Sequence, residues 1–129
     1  MERSYNKPME KDILFMKKAL EQAAMAAEKG EIPVGAVIVK DGEVLCATHN
    51  LCEELHDATA HAERLAISEA GRLTGSWRLS DCTLYVTLEP CPMCTGAIIN
   101  ARIPLADGSY LPVTDYASAG KTWDENKKT

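Results

Sequence analysis

Between Asp12 and Gly30, apolar side chains recur at Ile13, Met16, Leu20, Ala23, Ala24 and Ala27, close to the i, i+3, i+4, i+7 spacing of a helix with one buried stripe. Asp12 is placed to cap its start and Gly30 to stop it. The period then changes. Val34–Lys40, "VGAVIVK", is a β-branched run, Asp41-Gly42 is a hairpin-turn signal, and "EVLCATHN" follows as a second, antiparallel strand. "ATAHAERLAISEAGRL" returns to helical spacing, with Leu65, Ile67 and Ala70 apolar and Thr59 as its cap. "CTLYVTLEP", Cys82–Pro90, reads as a buried strand. "CPMCTGAIINARI" opens another helix, with Pro92 near the first turn, where proline is tolerated. The order α-β-β-α-β-α predicts an α/β fold in three layers, helices packed on a sheet.

The two ends break this pattern. Residues 1–11 read as a loose leader with Pro8 near its end. Residues 105–129, after "RIP", carry no sustained period and read as an irregular tail. Tyr110–Thr114 has strand character that Pro112 demotes to an edge or loop.

Composition narrows the class. A chain of 129 residues makes one domain with a core of its own. Nothing approaches the roughly 18 consecutive apolar residues of a membrane span, and the charged N-terminus has no signal-peptide core. Five cysteines, an odd count without scaffold spacing, argue against a disulfide framework and for a reducing, cytoplasmic setting. The net charge of −5 argues against unspecific coating of DNA, though not against a small, shaped RNA contact.

"EPCPMC", Glu89–Cys94, admits three chemistries: a redox pair, half of a structural zinc site, or part of a catalytic metal site. "HAE", His61–Glu63, discriminates among them. Helices that follow neighbouring strands of a parallel layout begin on the same side of the sheet, so His61 can meet Cys91 and Cys94 there. Two thiolates and one imidazole leave a fourth zinc position open, which marks a catalytic site. Helix N-termini favour the thiolate form, and zinc lowers the pKa of its water towards ~7. H-x-E with P-C-x-x-C is the signature of zinc nucleobase deaminases, in which the glutamate moves protons and is not a ligand. A structural site would need a fourth ligand from His49, His56, Cys52 or Cys82. A lone His61 would read as a satisfied core histidine.

In order and spacing, "EIPVGAVIV", "HN", "HDATAHAERLAI", "WRL" and "TLYVTLEPCPMCTGAII" resemble the bacterial tRNA-specific adenosine deaminases. The resemblance runs over residues 12–104, the expected deaminase domain. It implies a cytidine-deaminase-like α-β-α fold with a mixed sheet, a zinc-dependent homodimer, and conversion of adenosine to inosine at the anticodon wobble position of tRNA. It implies one Zn2+ per chain held by His61, Cys91 and Cys94, with Glu63 shuttling protons from water to the purine ring and the departing amine. Asn50 and the backbone at Ala62 would contact the flipped base, and Val34 and Pro90 would line the pocket. Two departures stand out: Ala58 replaces the proline of "HDPTAHAE", and the sequence after Ile103 does not follow the family's final strands and helix. With those elements missing, the third strand is expected as an exposed edge. Two rivals follow from this and from the acidic charge: a deaminase of a free base or nucleoside such as cytosine or guanine, and a non-catalytic zinc domain.

Overall fold

The computed structural model describes residues 10–104. Helix α1 (Glu10–Glu28) leads into strand β1 (Gly35–Lys40) and strand β2 (Glu43–His49). A single-turn helix α2 (Cys52–Leu55), helix α3 (Ala62–Thr74), strand β3 (Cys82–Val86) and helix α4 (Pro92–Asn100) complete the order. The expected elements are all present; α2 is an addition that periodicity is too short-sighted to reveal. The leader expected through residue 11 gives way to helix at Glu10, and Asp12 therefore lies inside the first turn instead of capping it. The expected tail, with Tyr110–Thr114, lies outside the described residues.

The sheet order is β2-β1-β3, and β1 is antiparallel to both neighbours. The mixed sheet expected from the resemblance is, in its described part, antiparallel. The convergence of the helix starts survives for a different reason. Because β1 opposes both flanking strands, β2 and β3 run in the same direction on either side of it. Their C-terminal ends lie at one level: His49 pairs with Gly35 and Val86 with Ala36. The connections to α3 and α4 leave from that edge. Asp41 and Gly42 both take positive φ (54° and 78°), as the two-residue hairpin between β1 and β2 requires.

β1 is buried on both faces, as a central strand covered by helices should be. Val37 and Val39 pack with Phe15, Ala19 and Tyr85 beneath α1. Ala36 and Ile38 pack on the opposite face with Ala62, Ala66 and Ala70 of α3 and with Cys46 and Leu84. This gives the three layers.

The expected stripe of α1 is largely the wrong one. Ile13 and Leu20 are about half exposed and Ala24 and Ala27 face out, whereas Phe15, Ala19, Ala23 and Ala26 are buried. Only Ala23 belongs to both sets, with Met16 partly covered. Closeness of approach explains the choice. A Cβ at Gly35 would stand 2.0 Å from the Ala19 carbonyl oxygen and 2.6 Å from the Ala23 nitrogen. A helix backbone that lies this near a strand must present its small residues, whatever larger side chains it carries elsewhere.

Candidate metal centre and active site

His61 and Cys91 occupy equivalent positions, each the N-cap of the helix it begins. Thr59, expected in that role for α3, instead closes a turn with Asp57, whose carboxylate accepts from the Thr59 N–H (2.8 Å) and hydroxyl (2.7 Å). Arg64 braces the same turn against Asp57 at 3.6 Å. The loop into His61 is thus held without the proline that Ala58 replaces.

The imidazole of His61 points at both thiols. Its Nδ1 lies 3.4 Å from Cys91 Sγ and 3.6 Å from Cys94 Sγ. Zinc bonded tetrahedrally at usual lengths places nitrogen and sulfur ligands about 3.6 Å apart, so these spacings are edges of a coordination tetrahedron. Among the described residues, these three form the group able to hold a metal ion, and neither His49, His56, Cys52 nor Cys82 joins them as a fourth protein ligand. The donor set therefore fits zinc with an open position.

The site prepares its thiols unequally. Cys91 accepts from the Cys94 N–H at 3.5 Å, as an N-cap side chain does, and Pro92 takes the first helical turn, where no N–H is needed. Cys94 is fully buried, and burial, followed by the nearby Glu63 carboxylate, pushes its thiol up. A coordinated cation overrides such a shift, because a coordinating thiol is deprotonated outright. Cys46 and Cys82, pushed up to about 11 chiefly by burial, have no such partner and are inert core thiols.

Glu63 is 4% exposed, and burial raises its carboxyl above the usual carboxylate range, opposed by a backbone hydrogen bond and by His61. A buried carboxyl of raised pKa beside a metal centre is suited to take up a proton and return it. Asn50 is also buried (4% exposed), and its Oδ1 accepts from the Ala62 N–H at 2.7 Å. The N–H donor fixes the amide orientation, so Nδ2 is the atom left to act elsewhere. Val34 is buried in the core beside Ala62, and its carbonyl accepts from the Asn50 N–H. Pro90 is buried, with its carbonyl 3.4 Å from the Thr95 hydroxyl.

Two polar residues at this edge escaped the sequence reading. Glu31, 6% exposed, accepts from the N–H groups of Glu53 (3.0 Å) and Glu54 (2.8 Å), supplying the cap that Leu51 cannot give α2. These bonds, the one from Glu53 foremost, hold its carboxyl below the usual range. Thr48 donates to the Ala62 carbonyl at 2.7 Å. Alternation along β2 puts Thr48 and Asn50 on one face, a signal present in the sequence; nothing local foretells Glu31.

A histidine and a cysteine pair at metal-ligand spacing on the starts of two helices, with a buried glutamate two residues after the histidine, is the arrangement of a zinc-dependent deaminase centre. The chain belongs to the cytidine and deoxycytidylate deaminase zinc-binding family, whose pattern matches residues 9–106. It is 53% identical over 95 residues to the tRNA-specific adenosine deaminase of Bacillus subtilis, covering 74% of this chain and 59% of that one. It also resembles a solved structure from a study of A-to-I editing by tRNA:A34 deaminases at the wobble position (49% identity, TM-score 0.70), covering 71% of this chain and 67% of the other. Guanine deaminase from Bacillus subtilis is similar as well, at 40% identity and TM-score 0.68 over 90% of this chain and 74% of its own. The chain thus spans about three-fifths of the length of the Bacillus adenosine deaminase.

Proposed function

We propose that this protein hydrolyses adenosine to inosine in the anticodon arm of tRNA, at the wobble position, using one zinc ion per chain. The observation that carries the chemistry is the tetrahedral spacing of His61 Nδ1, Cys91 Sγ and Cys94 Sγ beside a buried Glu63. The identity shared with tRNA-specific adenosine deaminases carries the substrate.

When bound, zinc supplies a Lewis acid that makes its water acidic near neutral pH. Glu63 Oε takes the proton of the water that attacks C6 and returns protons to the purine ring nitrogen and the leaving amine. Adenosine and water become inosine and ammonia. Asn50 Nδ2, the free half of its amide, donates to an acceptor on the flipped base, with the Ala62 backbone as a second contact. Val34 and Pro90 shape the pocket wall. The enzyme works as a cytoplasmic homodimer without membrane or DNA partners; no described helix is long and apolar enough to cross a membrane.

Ammonia release from zinc-loaded protein, with an adenosine-containing anticodon stem-loop offered beside free adenosine, cytosine and guanine, tests this reading. Turnover of the stem-loop is expected, and Glu63→Ala should abolish it with zinc retained. Full turnover in that variant removes the proposed mechanism. Turnover of free guanine alone would instead favour the second reading, a free-base deaminase, which the likeness to guanine deaminase supports.

A further inference from the structure

We propose that Thr48 is a positioning residue for the metal-binding and proton-transferring groups, acting with Asn50 as a clamp on Ala62. The inference deepens the deaminase reading and rests on it.

Helix α3 begins with a deficit. The residue at an N-cap ordinarily offers a side-chain oxygen to the first free N–H groups of its helix. Here that residue is His61, which makes no side-chain cap hydrogen bond because its ring faces Cys91 and Cys94. The cap is supplied from outside. Asn50 Oδ1 accepts from the Ala62 N–H, and the Thr48 hydroxyl donates to the Ala62 carbonyl, each at 2.7 Å. Both polar backbone atoms of one residue are therefore held by β2 and its continuation.

Ala62 is the residue between His61 and Glu63, and it is fully buried. A displacement there moves the ligand on one side and the proton carrier on the other together. Thr48 is itself anchored, since its backbone stands opposite Ala36 in the β1–β2 ladder. A carbonyl in the first turn of an α-helix also accepts along the helix axis. Removing the hydroxyl therefore leaves no buried orphan. What disappears is the tie between sheet and helix start, so the loss should be read in the geometry of the site before it is read in stability.

The test compares Thr48→Val, which removes the hydroxyl at nearly constant shape and keeps a β-branched strand residue, with Thr48→Ser, which restores the donor. Three quantities are measured: zinc affinity by competition with a chromophoric chelator, the visible spectrum of the Co(II)-substituted protein, and kcat and KM on the anticodon stem-loop. In Thr48→Val, zinc affinity and kcat should each fall about 3- to 10-fold, the scale of one net hydrogen bond, with KM unchanged and the cobalt bands shifted. Thr48→Ser should recover all three. Thr48→Ala provides the same readouts if the valine variant does not fold. Unaltered affinity, spectrum and kcat in the hydroxyl-less variants would overturn the proposal, as would a serine variant no better than valine. A raised KM at constant kcat would make Thr48 a substrate contact and overturn it too. If the wild type proves inactive on the stem-loop, the functional reading fails, and the affinity and cobalt measurements still decide the role of Thr48.

Discussion

Asn50 has two polar atoms on its side chain, and the fold uses one. With Oδ1 engaged by the Ala62 N–H, a change to aspartate keeps the acceptor and removes the donor. Asn50→Asp should therefore fold and bind zinc while turnover falls roughly 10- to 100-fold, the range expected when a buried polar contact loses its partner. A variant with unimpaired kcat/KM would show that Asn50 serves only the helix. His49, beside it, makes a different prediction. Its Nδ1 meets Gln22 Oε1 at 2.7 Å, while Nε2 is buried without a partner. Burial first, then Lys29, lowers its pKa from 6.5, against the pull of Glu54 and Glu31. Between the folded value and 6.5, the unfolded chain binds the extra proton. Stability should then be fully present above about 6.5 and decline as the pH falls below it. Urea midpoints measured across that range should fall less steeply in His49→Gln. Parallel curves for variant and wild type would show that His49 titrates alike in the folded and unfolded chain.

At the scale of elements, the contact of α1 with β1 is the tightest constraint. The Cβ of Gly35→Ala would meet the backbone of Ala19 and Ala23, and no rotamer change relieves a clash with main chain. The helix must move off the strand, disturbing the packing of Phe15 against Tyr85, whose ring centroids are 5.4 Å apart. A loss of about 3 kcal/mol or more is expected, seen as a much lower denaturation midpoint or as insoluble protein. A wild-type midpoint would mean that α1 can shift freely. The same contact explains why helix periodicity chose the wrong face: Ile13 and Leu20 outrank alanine in hydrophobicity but not in closeness of approach. Strand β3 closes one edge of the described sheet. Among the described residues β3 pairs with β1 alone.

For the whole molecule, a metal held by the proposed ligands would join two halves of the domain. His61 enters from the β2 side and Cys91 and Cys94 from the β3 side, so one ion bound there would tie together connections at opposite flanks of β1. A ligand that binds only the folded state stabilises it by about 4 kcal/mol at a thousandfold excess over its Kd. Chelation should accordingly lower the thermal midpoint by several degrees, and zinc should restore it. An unchanged midpoint after verified metal removal would mean that the pair of helix starts is fully organised by protein contacts alone.

The sequence by itself determined what short-range chemistry can carry. Runs of β-branched residues, the Asp41-Gly42 turn and the placement of Pro92 act within a few residues of chain, and they specify elements wherever the chain goes. The identities of His61, Cys91 and Cys94 belong to the same level, because zinc chemistry restricts its ligands to few residue types, and so does Glu63, because proton transfer beside the metal calls for a carboxylate two residues from the histidine. Tertiary structure decided the rest. It chose the alanine face of α1 through the approach of Gly35, and it turned an expected parallel neighbourhood into two like-directed strands flanking an opposed one. It also supplied caps for α2 and α3 from Glu31 and Asn50, residues far from the helices' own starts. Each of these depends on which surfaces meet, and that is set by packing across the sheet and by no local pattern.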